Sequence, residues 1–154
     1  MKLSTQTIKI LKNFSEINPT ILVRRGKNIV TIDHNKRIIA DANVEETMPQ
    51  DFAIHDLNQF LTVSSLLENP DFEFKTDRVV VKNNNRYINY IFADPSCVTD
   101  AKVVRDKIPA MFKDTDVVHS FTISEEDLKS IRQTASILKY PHITFVGNGE
   151  NVRI

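Results

Sequence analysis

Few residues in this chain could do covalent chemistry, and their spacing does not arrange them for it. Cys97 is the single cysteine, which rules out a disulfide framework and a cysteine-based zinc site. His34, His55, His119 and His142 do not share metal-ligand spacing. Gly26, Gly147 and Gly149 all fall in expected turns, and neither phosphate-loop fingerprint is present. No metal or cofactor is expected. His55-Asp56 can be read as half of a hydrolase's catalytic pair, which would need a pocket with a perturbed titratable group. The simpler reading is that Asp56 caps a helix starting at Leu57, where a carboxylate suits the helix dipole. Cys97 has no histidine near it in sequence and reads as a spectator thiol. Nothing here asks for catalysis.

Phosphate binding has a better-formed pattern. Lys9 and Lys129 occupy equivalent positions of two helices, as do Lys12 and Arg132, and Asn13 and Gln133. All six can donate to a phosphate oxygen. Such contacts bind without sequence preference and weaken as salt rises. Glu16, Glu125 and Glu126 dilute the set. A solvated helix face with no partner would show similar residue types, and a protein-interaction module that never touches DNA is the competing function. What favours phosphate is that the pattern survives between segments whose other surface residues differ.

The equivalence comes from an internal repeat, which governs the fold reading. Laid over 123–154, residues 3–32 place Leu3-Ser4 on Ile123-Ser124, Ile8-Lys9 on Leu128-Lys129, Leu11 on Ile131 and Ile17 on Ile137. After a two-residue insertion, Pro19-Thr20-Ile21 meets Pro141-His142-Ile143. A third copy lies between them: Asp56-Leu57 and Phe60 read as Asp127-Leu128 and Ile131, Leu67 as Leu138, Phe72 as Ile143, and Val81 as Val152.

Each copy is a helix followed by a hairpin. Ile8, Leu11, Phe14 and Ile17 recur at helical spacing, with Lys9, Lys12, Asn13 and Glu16 opposite. In the last copy Leu128, Ile131, Ala135 and Leu138 form the stripe expected to be buried, with Lys129, Gln133 and Ser136 pointing away and Arg132 on the flank. Ser4 and Ser124 are candidate N-caps, and Pro19 and Pro141 close the outer units. Turn residues split β-prone runs into pairs: 20–25 with 28–32, 71–76 with 78–82 and then 86–92, and 142–146 with 151–154, while 37–42 and 52–55 read as further strands. This is an α+β fold of repeated strand–helix–hairpin units, with helices on one face of antiparallel sheets.

Length and composition set the frame. Lysine plus arginine and aspartate plus glutamate number 20 each, so any DNA contact must come from a local patch. No run is long enough to span a membrane, and Met1-Lys2-Leu3-Ser4 leads straight into an amphipathic helix without a signal peptide. Residues 93–116 carry Pro95 and Pro109 without a clear period and read as a linker. The expected domains are therefore 1–107, with two repeat units and the linker from about residue 93, and 108–154, with one. By repeat arithmetic, a second domain of equal size would need about 70 further residues. A half-domain is expected to expose a sheet edge and an apolar face, and to associate irregularly through them.

Short blocks across the chain resemble a known family. Met1-Lys2-Leu3-Ser4, Leu11-Lys12-Asn13-Phe14 and Ile17-Asn18 are similar to the start of the sliding clamps of T-even-like bacteriophages. So are Ala53-Ile54-His55-Asp56-Leu57-Asn58, Phe60-Leu61 and Ser65-Leu66, and Ala93-Asp94-Pro95-Ser96 and Ile108-Pro109 at either end of the linker. The order and spacing of the blocks carry the likeness.

The resemblance implies a DNA-clamp fold and a DNA polymerase processivity factor that is not an enzyme. Three two-domain subunits would close into a ring lined by twelve helices, opened and closed by a clamp loader, encircling duplex DNA and tethering the polymerase. It also implies a role in late transcription, in the cytoplasm of an infected bacterium. Carried over by position, Lys9, Lys12, Lys129 and Arg132 would face DNA, with Lys139 at a helix end. The middle helix departs from the pattern, with Asn58 and Leu61 where the others carry cations.

Overall fold

The computed structural model describes residues 1–111, 120–147, 149 and 151–154. It divides into two compact units, Met1–Met111 and Phe112–Ile154.

In the first unit the elements run α1 (Thr5–Ile17), β1 (Ile21–Val23), β2 (Gly26–Ile32), β3 (Ile39–Met48), β4 (Phe52–Ile54), α2 (Leu57–Ser65), β5 (Asp71–Phe74), β6 (Arg78–Asn83) and β7 (Arg86–Ile91). A 3-10 turn (Pro95–Cys97) and α3 (Ala101–Met111) follow. The two repeats share one core. Leu11 and Phe14 of α1 and Leu57 and Phe60 of α2 meet Ile21, Ile29, Val44, Phe72, Val79 and Val81 from the strands, all buried. Helices α1 and α2 pack on one another. Aromatic contacts hold β4 and α2 to the sheet that follows them: Phe52 lies 5.0 Å from Phe74 and 5.1 Å from Phe92, centroid to centroid. Tyr90 packs edge-on to Phe60 at 5.2 Å, and its hydroxyl donates to the Asp56 carbonyl at 3.1 Å.

The pairing corrects one expected hairpin. Runs 20–25 and 28–32 do not pair with each other. Instead β1 pairs antiparallel with β4, Leu22 opposite Ala53, and β2 pairs with β3, Val30 opposite Asp41. The connection is held by a carboxylate. Asp51, just before β4, accepts from the Arg25 N–H at 2.6 Å and from Arg24 at 2.6 Å. Gly26 opens β2 at φ +122°, and the register shifts between Gly26 and Asn28, a bulge that redirects the strand. The second repeat pairs as expected: β5 with β6 and β6 with β7. Strand β3 also runs six residues past the expected 42, to Met48. Its alternation continues through Ala40, Ala42, Val44 and Met48 toward the core, with Glu46 on the same face.

The expected linker also holds regular structure. Helix α3 lies against β2, where Ala101 and Val104 cover Val30 and Ile32. On alternate residues, Ile29 faces the main core. Strand β2 is thus buried on both faces. The sequence signal for α3 is weak because only two apolar positions dock, and polar contacts do much of the rest. Asp100 accepts from the Lys102 and Val103 N–H groups at the helix start and pairs with Arg24. Arg105 pairs with Asp41 and donates to Asn28 at 2.9 Å. Burial pushes the Asp100 carboxyl up, but Arg24 and those N–H groups outweigh it and hold it below the usual range. The rest of that linker stretch, 112–116, lies outside the described residues.

The second unit contains α4 (Glu125–Ile137), β8 (Val146–Gly147) and β9 (Val152–Arg153). Its hairpin, β8 with β9, is shorter than expected, and Asn148 in the turn lies outside the described residues. The apolar stripe of α4 is a correction: no α4 residue is buried. Leu128 is 40% and Leu138 53% exposed. In the first unit the equivalent residues find a second repeat to pack on; the described residues of this unit offer one repeat.

Candidate nucleic-acid interface

Helix α1 is fixed in place at its N-terminus. Ser4 is the N-cap, and its Oγ accepts from the Thr7 N–H at 3.1 Å. Glu46 reaches across from β3 and accepts from both the Ser4 N–H and the Thr7 hydroxyl. Desolvation pushes the Glu46 carboxyl up, yet the bonds from Thr7 and Ser4 outweigh it and the group sits below its ordinary range. A carboxylate there also meets the positive end of the helix dipole. Glu46 was not legible as a site-positioning residue because the strand was expected to stop at residue 42. Its period-two placement with Val44 and Met48 is the signal that could have found it.

With Thr7, Leu11, Phe14 and Ser15 buried, the opposite face of α1 presents Lys9, Lys12 and Asn13, all exposed. They are three and four residues apart, hence neighbours on the helix surface. Among the described residues neither lysine enters an ion pair, whereas Arg24, Lys75, Arg78, Lys82 and Arg105 all do. Lys9 and Lys12 are therefore available to an external anion.

Helix α4 repeats the arrangement. Ser124 caps it, accepting from the Asp127 N–H at 3.0 Å, while its hydroxyl donates to the Asp127 carboxylate at 2.6 Å. Lys129, Arg132 and Gln133 are exposed and line one shallow recess with Glu125, Leu128 and Ser136. Glu125 at that end lowers the local positive potential. Lys139 lies beyond the helix, exposed, at φ +56°, and is not part of this recess.

Helix α2 supplies no matching face. Asn58 is exposed, but Leu61, at the position of Lys12 and Arg132, packs against the main core. The His55-Asp56 pair resolves as a cap: Asp56 Oδ1 accepts from the Gln59 N–H at 2.9 Å, beside an exposed His55. Cys97 is free and exposed in the 3-10 turn. Among the described residues no helix is long and apolar enough to cross a membrane.

Repeated helix–strand units with matched cationic helix faces define the class: an α+β repeat protein whose outer helix surface can contact a polyanion. The chain belongs to the DNA polymerase processivity factor family, whose pattern matches residues 2–99. It is 32% identical over 139 residues to a protein named sliding clamp from Vibrio phage KVP40, an alignment covering 90% of this chain and 61% of that one. It is 31% identical over 156 residues to the sliding clamp of Escherichia phage RB69, covering 100% of this chain and 65% of that protein. Against the sliding clamp of Enterobacteria phage T4 it is 38% identical over 101 residues, covering 64% and 44%. The chain thus spans less than two thirds of the length of the relatives it matches.

Proposed function

We propose that this chain is part of a sliding clamp: a subunit that encircles duplex DNA and tethers a replicative DNA polymerase without catalysing a reaction. The observation that carries the reading is the repetition of one exposed set of two cations and an amide, Lys9, Lys12 and Asn13 on α1 and Lys129, Arg132 and Gln133 on α4, whose cations enter no ion pair among the described residues, in a member of the processivity-factor family. Weak contacts of this kind suit a protein that must move along DNA, since each phosphate contact is non-specific and exchanges with salt ions. Lys139 extends the set at the end of α4. Residues 1–107 form the complete domain in this reading and 108–154 the first half of a second. The working assembly is a homotrimeric ring loaded by an ATP-driven clamp loader, acting in the cytoplasm of an infected bacterium and also serving late transcription.

The test is duplex binding by fluorescence anisotropy across a salt series, comparing the chain with the Lys9→Glu, Lys129→Glu double variant. The expected result is a uniform loss of affinity across DNA sequences, with the slope of log K against log salt shallower by about two. Unchanged binding by the double variant would refute the assignment of these faces to DNA.

A further inference from the structure

Helix α3 has little of its own to keep it helical. It has eleven residues, and isolated helices shorter than about 12–15 residues are marginal in water. Pro109 lies inside it and has no N–H to donate to the Arg105 carbonyl. Among its described side chains only Ala101 is buried. Val104 packs half-buried against Val30 and Ile32 of β2, and Val103 is 50% exposed. The helix therefore persists while it is docked, and two guanidinium contacts do much of the docking. Arg24, between β1 and β2, pairs with Asp100 at the start of α3. Arg105 of α3 pairs with Asp41 of β3. All four side chains are partly exposed. Each guanidinium also holds a second carboxylate, on its own side of the contact. Arg24 pairs with Asp51 at 2.6 Å, beside the sheet, and Arg105 with Asp106 at 2.7 Å, on α3 itself. Lifting α3 from β2 thus leaves neither arginine without a counter-charge, and Asp41 keeps the amide of Asn28. What opposes opening is exposure of Val30 and Ile32, whose burial favours redocking.

We propose that α3 is an ion-latched strap. It leaves β2 and unfolds as one small unit while the rest of Met1–Met111 stays folded, and the Arg24–Asp100 and Arg105–Asp41 pairs set how often it does so. Elements with few buried apolar contacts open in this sub-global way. The consequence lies in the connection. Helix α3 ends at Met111, and the second compact unit begins at Phe112. A helix rises about 1.5 Å per residue and an extended chain spans about 3.3–3.6 Å per residue. Release therefore lets the same segment reach about twice as far. The strap sets the length of the tether that leads to the second unit, and ionic strength sets the strap. The contacts all lie within the first unit, so the strap is independent of the DNA reading.

Amide hydrogen exchange of the 154-residue chain, followed residue by residue in KCl, tests the proposal. Between about 0.01 M and 1 M salt the Debye length falls from about 30 Å to 3 Å. Exchange in α3 should quicken by about threefold to tenfold over that range, while the α1 amides, an internal control for the folded unit, stay slow. Asp100→Asn with Arg105→Gln removes both α3 charges and keeps a capping side chain at residue 100. In that double variant α3 should exchange fast at every salt concentration, with α1 unchanged. Arg105→Asp alone and Asp41→Arg alone should each quicken α3 exchange, and the two together should restore protection. Three results would overturn the proposal: α3 exchange in the parent chain that ignores salt, α3 and α1 exchanging together, or a charge swap that restores nothing.

Discussion

Replacing Glu46 by alanine should loosen the helix that carries Lys9 and Lys12 without touching either lysine. Glu46 accepts two hydrogen bonds, from the Ser4 N–H and the Thr7 hydroxyl, and Thr7 is fully buried. Hydrogen bonds to a charged group contribute about 1.5–3 kcal/mol each. The carboxylate's position at the helix start adds about 0.3–1 kcal/mol. Some loss is recovered, because Ser4 Oγ still serves the Thr7 N–H and water can reach a partly exposed site. A net destabilisation of about 2–4 kcal/mol follows. The carboxyl titrates below its ordinary value when folded, so its contribution is fully present above the unfolded pKa, about 4.3. It is lost as pH falls through the folded pKa. Urea unfolding of the parent chain and of Glu46→Ala, each at pH 7 and again at pH 3, measures both effects. The gap between them should be large at pH 7 and narrow at pH 3. Equal midpoints at pH 7, or a gap that acid does not change, would show that Glu46 does not hold α1 in the way argued.

Other outcomes follow from the same structure. Asp56→Ala should cost about 1 kcal/mol through loss of the α2 cap, read as a lower urea midpoint with an unchanged slope. Leu57→Ala, at a fully buried core position, should cost about 2–5 kcal/mol in the same assay. Arg105→Ala should leave the global urea midpoint nearly unchanged, since its ion pairs are partly exposed, yet speed amide exchange in α3 specifically. The Glu73 carboxylate, between Lys75 and Lys82, should titrate at about 2 by NMR, and a midpoint near 4 would show that neither lysine holds it in solution.

The repeat made the fold legible where a local pattern coincided with a packing need. Helix α1 could be read from Leu11 and Phe14 against Lys9 and Lys12, because burying one face is what forms the helix. Strands β5 to β7 could be read because Asp77 and Asn83-Asn84-Asn85 turn the chain where sequence neighbours pair. The run at 20–25 misled because sequence adjacency suggests a hairpin, while Asp51 fastens the β1–β2 connection beside β4. Helix α3 was illegible for a related reason: Arg24–Asp100 and Arg105–Asp41 join residues far apart in sequence, and no periodicity records such contacts. The α4 stripe was read correctly as apolar, but its burial depends on a neighbour that a periodicity cannot supply.

The candidate interface raises a different point, because formal charge balance argues against a DNA-binding protein until the charges are sorted by partner. Some cations of the first unit stand beside carboxylates: Arg24 with Asp51 and Asp100, Lys82 and Lys75 with Glu73, Arg105 with Asp41. Each such pair is nearly neutral beyond a Debye length, about 8 Å in physiological salt. Lys9, Lys12, Lys129 and Arg132 form no ion pair among the described residues, although Glu125 shares the recess of Lys129 and Arg132 and lowers the potential there. A net charge of zero therefore does not fix the charge of any one helix face, since only some cations are neutralised in pairs. On the proposed reading, in which the protein slides along DNA, a small set of unpaired cations has a physical advantage over a strongly basic surface. A small number of phosphate contacts keeps the salt-dependent term shallow, and each contact can break and reform without stalling the whole molecule.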